Sequence, residues 1–473
     1  MSARASVMYL LARVFSGVLS VATISLFARG IGPEGYAWLT LVTAGNSLFS
    51  AVLMQPVNQS LARFLPRAGF GNLLSTLVRV VGVASWPFLL LALLIEWLRP
   101  GWLPPGVAFG VWALQMAQGL FDLACQHANT TLHARRYAWL YIGKAVLVFA
   151  LGALILQVPA RADGMLGAMI GGFLFSAFII GWPTWREAVR GAWQPSLLRQ
   201  VRPYALPLTG TLFLGAVLSW SDRILLTAMS TPEQTGGFGA ASDLVLQGLV
   251  LMSSAFFLAW YPRMVIAAEH KDAAEVERLA GRYLLLALSL LVPVALGYAL
   301  VRHNLVTVLL GHEYADVSTG VMPWLALSAL LAGARSYLFD IAIHLGARMR
   351  AQLRNQALCA VCSLVLNVVL IPRFGAMGAA LASVATQAFG CLLSLHAGHG
   401  VLRWRIDGRG LSMVALGCIL MTVAVMAVPL TGLLGLLVQS FVGAVVYLVV
   451  MLAANVAGCR DVIANRLRRA HAG

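Results

Sequence analysis

Apolar runs recur from one end of this chain to the other, each about 20 residues long, the length a helix needs to cross a bilayer core. Fourteen such runs can be traced, the first centred near Leu19 and the last near Val445. Lipid offers no hydrogen-bond partner to an exposed backbone, so only helices and closed barrels span it. Barrel strands would be about 10 residues long and would alternate apolar with polar residues. These runs do neither, so the expected fold class is an all-α polytopic membrane protein. Only 11% of the 473 residues are charged, against about 25% in soluble domains. The first run, Val7 to Ala28, carries no cleavage site of signal-peptide type and is expected to remain as an uncleaved anchor.

The distribution of basic residues orients the spans. With the N-terminus in the cytoplasm, 25 of the 33 basic residues fall in inner segments and six in outer turns. Lys144 is assigned to an inner segment and Arg223 to an outer turn. Arg13 and Arg335 lie inside spans. Cytoplasmic loops concentrate Lys and Arg, so this asymmetry supports both span count and orientation, with both termini cytoplasmic. The net charge of +16 is explained by this sorting and does not point to nucleic acid.

The first run ends at Gly30-Ile31-Gly32-Pro33-Glu34-Gly35-Tyr36, where closely spaced glycines and a proline fit a tight turn. A second Pro-Glu turn follows the seventh span, at Thr231-Pro232-Glu233-Gln234-Thr235-Gly236. Both turns follow outward spans, which suggests two halves related by an axis along the membrane normal. The expected division is residues 1–190, 191–400 and a C-terminal part, 401–473. Two longer interruptions stand out. Thr184 to Pro203 is basic and bears tryptophan, as an interfacial amphipathic segment does. Arg263 to Arg282 reads as a separate short amphipathic helix.

Charge inside a span costs roughly 3 kcal/mol at mid-membrane and usually faces the protein interior. Arg335 and Arg13 are therefore the first candidate site residues. Each either meets an anionic headgroup or serves packing, Arg335 by pairing with an acid and Arg13 by reaching back to the interface. In the fourth span, Gln115, Gln118, Asp122 and Gln126 recur at helical spacing on one face. That face either lines a cavity or forms a hydrogen-bonded seam between helices. Asp243 with Gln247, and Asp340 with His344, are i,i+4 pairs and candidates for coupling to a proton or cation; the alternatives are a structural role for Asp243 and an interfacial pair for Asp340 with His344. Ser383 and Gln387 give the twelfth span a thinner polar face. Trp220 and Trp260 are candidates for stacking on sugar rings; the other tryptophans near span ends suit an aromatic belt. Gly106xxxGly110 and Gly167xxxGly171 read as close-packing signals.

Signatures of catalysis are not found. No Gly-rich phosphate loop with Lys-Ser/Thr occurs. Cys359 and Cys362 have CxxC spacing without a second ligand pair, and His127, His133, His396 and His399 lack acidic company in sequence, so no metal or other cofactor is expected.

Four segments together resemble one known family. They are Phe27-Ala28-Arg29-Gly30-Ile31-Gly32-Pro33-Glu34-Gly35-Tyr36, Asp222-Arg223-Ile224-Leu225-Leu226, Leu309-Leu310-Gly311-His312-Glu313-Tyr314, and Leu370-Ile371-Pro372-Arg373-Phe374-Gly375-Ala376-Met377-Gly378-Ala379-Ala380. In this order they resemble the polysaccharide exporter and Wzx-like lipid-linked oligosaccharide flippase family of the multidrug/oligosaccharidyl-lipid/polysaccharide (MOP) superfamily. The resemblance implies two six-helix bundles around a central cavity, two added C-terminal helices, and alternating access. The implied function is a non-enzymatic flippase in the bacterial inner membrane. It would carry an undecaprenyl-pyrophosphate-linked oligosaccharide for O-antigen, capsule or exopolysaccharide assembly. On the residues' own chemistry, Arg13, Arg335, Gln115, Gln118 and Asp122 would meet the substrate, and Arg29, Glu34, Asp222 and Arg223 would form an outer gate, with Asp222-Arg223 alternatively a turn-stabilising pair. The implied partners are the lipid-linked oligosaccharide, membrane lipids, a polysaccharide polymerase and a chain-length regulator. The alternatives are a peptidoglycan-precursor flippase or drug/cation antiporter of the same superfamily, and a membrane-embedded polymerase or glycosyltransferase. A large outer loop would favour the last, and the outer turns here are short.

Overall fold

A computed structural model describes residues 3–67, 70–157, 162–269, 273–346, 348–399, 401–402, 407–456 and 460. Among these residues the chain is helical throughout and has no strand. In chain order the α-helices are α1 (Ala3–Val52), α2 (Met54–Phe64), α3 (Leu73–Leu98), α4 (Val107–Thr130), α5 (Ala134–Ile155), α6 (Ala162–Phe175), α7 (Trp182–Arg190) and α8 (Pro195–Met229). They continue as α9 (Pro232–Glu269), α10 (Ala273–Leu300), α11 (Arg302–Leu309), α12 (Ala315–Ala334), α13 (Asp340–Leu345), α14 (Met349–Phe374), α15 (Ala376–Gly398), α16 (Gly408–Met426) and α17 (Gly432–Ala453).

Twelve helical stretches among the described residues are long and apolar enough to cross a membrane. The first, Leu11–Val52, is two crossings. It breaks at Gly32, whose φ of 65° and ψ of 178° suit a residue without a Cβ. The 38-residue α9 supplies a further helix of spanning length. The chain is thus a multi-pass all-α membrane protein, as its apolar periodicity requires.

Two compact units divide the chain. Unit 1 comprises Met1–Ala240 and Gln356–Ala379; unit 2 comprises Ala241–Asn355 and Ala380–Gly473. In unit 1, α1 packs on α5 and α8, α4 lies against α1 and α6, and α2 rests on α8. Small residues let these helices approach. Gly119 faces Met54, and Gly152 faces Phe27. In unit 2, α10 packs on α12 and α16, and α16 on α17. Its core gathers Tyr283, Leu284, Leu338 and Ile341 in one cluster and Cys418, Met421, Tyr447 and Met451 in another.

Four sequence expectations need correction. Within Thr184–Pro203, only Trp182–Arg190 forms a separate helix, because α8 already begins at Pro195, where a proline at the first turn is tolerated. Arg263–Arg282 is not an independent helix. Its two flanks are the last turns of α9 and the first turns of α10, where Glu275 pairs with Arg278 at 2.6 Å; His270, Lys271 and Asp272 lie outside the described residues. Lys144 is not in a loop: it sits well inside α5, three turns beyond Ala134. Arg223 is not in a turn: it is 1% exposed within α8, ahead of the Met229 end. The close-packing reading also holds at only some of the paired glycines. Gly110 meets Leu166 and Val42, whereas Gly167 opens onto a cavity of about 640 Å³ walled by Trp38 and Phe109.

Candidate functional site

At the end of unit 1 where α1 turns at Gly32, the two Pro-Glu turns meet. A Cβ on Gly236 would overlap the Pro33 carbonyl oxygen, and one on Gly239 would overlap the Thr40 side chain. Gln234 ties the same place to the start of α15. Its Oε1 accepts from the Ser230 hydroxyl at 2.9 Å and from the Ala376 backbone N–H at 2.8 Å. Glu34 lies beside Glu233. Arg29 is exposed just before the turn. Deeper in α8, the Arg223 backbone N–H donates to Asp222 Oδ1 at 2.8 Å, and the Arg223 guanidinium lies 4.2 Å from the Trp220 ring centre. That contact occupies a face of Trp220 which sequence had offered to a sugar. Trp260, the other such candidate, lies 6.2 Å from the Tyr283 ring.

A run of polar side chains from α1, α4 and α5 leads from the exposed Arg13 into the interior of unit 1. Arg13 reaches across to α5, where its Nε and Nη2 donate to the Tyr137 hydroxyl at 3.2 and 2.9 Å. The Tyr137 and Tyr141 rings lie 4.7 Å apart at a tilt of 32°, and Tyr141 meets Phe121 edge-on at 5.6 Å. Farther along α5, Lys144 stands beside Asp122 of α4 and 5.2 Å from the Phe173 ring centre. Asp122 also hydrogen-bonds Gln118. Gln118 in turn accepts from Asn46 Nδ2 at 2.9 Å. The face predicted on α4 therefore exists, and at Gln118 and Asp122 it forms a seam to α1 and α5. Gln126 only meets Thr130 on its own helix, at 3.5 Å. Gln115 is 1% exposed, and both polar atoms of its amide are buried without a hydrogen-bond partner.

Arg13 has no carboxylate partner among the described residues. Lys144 has Asp122 within electrostatic reach, although no ion pair of 4 Å or less joins the two. Removing the one acid near a buried ammonium leaves its charge less compensated, and breaking a close buried pair, at about 3–5 kcal/mol, sets the upper bound of the cost. Asp122→Asn is accordingly expected to lower the thermal stability of the purified protein sharply. Asp122→Asn combined with Lys144→Met is expected to recover most of the loss, because no charge is then stranded. Equal stability of Asp122→Asn and wild type would show that the two groups are not coupled.

His127 corrects a further expectation. Sequence gave it no acidic company, but α7 folds back so that His127 Nε2 lies 3.2 Å from Glu187 Oε2 and His127 Nδ1 lies 3.0 Å from Thr184 Oγ1. Trp185 fixes α7 by donating to the Ala177 carbonyl at 2.6 Å, within the π-helical segment Ser176–Ile180. Among the described residues no group of three or more His, Cys, Asp or Glu is placed to hold a metal ion. Neither Cys359 nor Cys362 is in a disulfide.

In unit 2, Arg335 opens a π-helical segment, Arg335–Phe339, between α12 and α13. Such bulges free backbone carbonyls and recur at functional sites. Here the Tyr337 carbonyl accepts from the Tyr283 hydroxyl at 2.7 Å. Arg335 Nε is buried without a hydrogen-bond partner, and no carboxylate pairs with this guanidinium among the described residues. Asp340 is 7% exposed. Its Oδ1 accepts from Ser394 at 2.6 Å and its Oδ2 from Gln352 at 3.2 Å. Both oxygens are thus engaged by uncharged donors and not by His344, which corrects the interfacial pair read from sequence. Asp243 and Gln247 are partly buried on one face of α9.

Sequence reasoning missed Lys144, Asn46, Tyr137 and Glu187. Lys144 alone left a signal, as an isolated charge eight residues past Arg136 with apolar residues on both sides.

This architecture is shared with solved transporters. The chain resembles a lipid II flippase MurJ in an inward closed conformation, with a TM-score of 0.75 and 14% identity, over 97% of this chain and 100% of that one. It also resembles an inward-facing multidrug resistance MATE family transporter of the MOP superfamily, with a TM-score of 0.62 and 13% identity, over 82% of this chain and 97% of that one. A MATE in complex with Br-NRF gives a TM-score of 0.53 and 11% identity, over 84% of this chain and 94% of that one. No protein-family model matches the chain, and no curated protein matches it. The chain therefore has the fold seen in MOP-superfamily transporters.

Proposed function

We propose that this protein is a flippase for a lipid-linked oligosaccharide whose headgroup carries a diphosphate. It would work in the bacterial inner membrane, with the Gly32 end toward the periplasm and both termini in the cytoplasm. One observation carries the reading. Arg13 and Arg335 are intramembrane guanidiniums without a carboxylate, although intramembrane charges are otherwise paired. Lys144, by contrast, has an acid, Asp122, within electrostatic reach. Two uncompensated arginines suit a passing anion, and a planar guanidinium binds phosphate oxygens in pairs. A drug or cation antiporter would instead want an uncompensated acid.

In this reading the headgroup crosses along a polar path while the isoprenoid chain stays in lipid, and the seal at Gly236 opens on the outward stroke. The likeness to a lipid II flippase over nearly the whole chain supports a second reading, a peptidoglycan lipid precursor. Both substrates present the same diphosphate chemistry.

Purified protein in liposomes tests the proposal with an undecaprenyl-diphosphate-linked oligosaccharide. Translocation without new glycosidic bonds is expected. New bonds, or no movement of the lipid, would overturn it. Arg13→Ala is expected to slow translocation about tenfold, the value of a contact near 1.4 kcal/mol. The effect is modest because Arg13 is partly exposed and water can share its charge. An unchanged rate would remove Arg13 from the path.

A further inference from the structure

The first turns of α8 carry a feature that the path above does not use. Arg199, Arg202, Pro203, Leu206 and Pro207 line a groove of about 360 Å³. Successive spacings of three, one, three and one place all five on one face of the helix. All five are exposed. The opposite face is the one that packs: Leu197 and Val201 are buried, and Tyr204 lies under Arg63 of α2, 4.3 Å from the guanidinium to the ring centre. Neither Arg199 nor Arg202 has a carboxylate partner among the described residues. No acid occurs between Arg190 and Ser221 or anywhere in α2, so the positive charge of this face is not locally cancelled.

The groove has two ends of different chemistry. Arginines three apart on a helix bring their Cβ atoms to about 5–6 Å, close enough to act on one ligand. Each guanidinium is a fork matched to one phosphate. Toward the C-terminus the same face turns apolar through Pro203, Leu206 and Pro207, which rise about 7.5 Å beyond Arg202. The two proline rings cannot rotate away, so this part of the groove has a fixed shape. Two adjoining anion forks followed by a short rigid apolar track describe the complement of an isoprenoid diphosphate. A phospholipid offers one bridging phosphate and fills one fork only.

We propose that this face of α8 is a docking site for the diphosphate and the first isoprene units of the transported lipid, engaged before the headgroup reaches Arg13 and Arg335. The site rests on the flippase reading but is tested apart from it. Its volume admits the diphosphate and the start of the chain and leaves the oligosaccharide outside.

The test uses the full-length protein in detergent with farnesyl diphosphate as probe, binding being followed by native mass spectrometry. Arg13→Ala/Arg335→Ala serves as the background, so that the interior arginines do not contribute. In that background, Arg199→Gln/Arg202→Gln is expected to weaken binding about 30-fold, Arg199→Lys/Arg202→Lys by less. Farnesyl monophosphate is expected to bind about tenfold more weakly than the diphosphate. Both arginines are exposed, so the substitutions leave the packed face of α8 intact. Undiminished binding in the Gln pair would overturn the site, as would displacement of the probe by equimolar phosphatidylglycerol, which would mark a general anionic-lipid surface. Liposome transport separates the two proposals. Diphosphate binding that depends on Arg199 and Arg202 in a wild-type protein that moves no lipid-linked oligosaccharide would refute the flippase reading and leave the groove standing. Wild-type transport unaltered in the Gln pair, with binding also unaltered, would refute the groove alone.

Discussion

Replacing Arg335 with alanine is expected to reduce lipid translocation about 100-fold while leaving the protein folded and at normal abundance. Truncating one partner of a desolvated charge contact costs about 2–5 kcal/mol, and 2.8 kcal/mol corresponds to about a hundredfold. The sign of the stability change distinguishes this loss from a structural one. Arg335 Nε is buried and unpaired in a half-buried side chain, so the resting protein carries the cost of one unmet donor there. Alanine removes that cost, and Arg335→Ala should melt at or above the wild-type temperature. A structural arginine would behave oppositely, as Asp122→Asn is expected to. Arg335→Lys keeps the charge but loses the planar fork, and should recover part of the rate. Full translocation by Arg335→Ala, or loss of activity together with loss of fold, would take Arg335 out of the path.

The second large effect is expected at Gly236. A valine there would drive its Cβ into the Pro33 carbonyl oxygen, a backbone atom that cannot rotate aside. Overpacking of this kind costs about 1–3 kcal/mol, and more where the backbone must move. Relief comes by parting the first turns of α9 from the Gly32 turn, which breaks the seal. A cysteine at position 40 reports this opening, because Thr40 is 1% exposed behind Gly239. In the wild-type background Thr40→Cys should resist a membrane-impermeant maleimide applied to intact cells. With Gly236→Val it should label, and translocation should fall at least tenfold. Gly167→Ala is the control, since no atom lies within 4 Å of a Cβ at that position. It is expected to change neither readout. Protection together with normal translocation in Gly236→Val would show that the two turns do not form the seal.

What could be read from the sequence, and what could not, follows from how far each interaction reaches along the chain. The spans are local: an apolar run either is or is not long enough to cross a bilayer. The Gly32 break was equally local, because a Gly-Pro pair announces its own backbone geometry, and the positive φ at Gly32 matches it. Arg13 and Arg335 were visible as single charges in apolar surroundings. Lys144 escaped because it was counted with Arg135 and Arg136 in one inner segment, although it stands eight residues beyond Arg136 and α5 already begins at Ala134. Arg223 escaped in the same way, since the polar dipeptide Asp222-Arg223 looks like the edge of a turn although α8 continues to Met229. The charged stretch around Glu275 and Arg278 looked like a helix of its own because α9 and α10 extend beyond their apolar parts. The α4 face of the interhelical seam was legible from its spacing, but its partners on other helices were out of reach. Asn46 and Gln118 are 72 residues apart, and His127 finds Thr184 at a separation of 57. Contacts at such distances are decided by packing, which no local pattern encodes.

The most direct measurement compares two lipids in proteoliposomes of the wild-type protein. One is an undecaprenyl-diphosphate-linked oligosaccharide; the other carries the same sugar and chain joined by an uncharged linker. If uncompensated arginines drive the passage of an anion, the diphosphate form should cross about 100-fold faster, and Arg13→Ala/Arg335→Ala should erase the difference. Equal rates for the two lipids in the wild-type protein would contradict that mechanism.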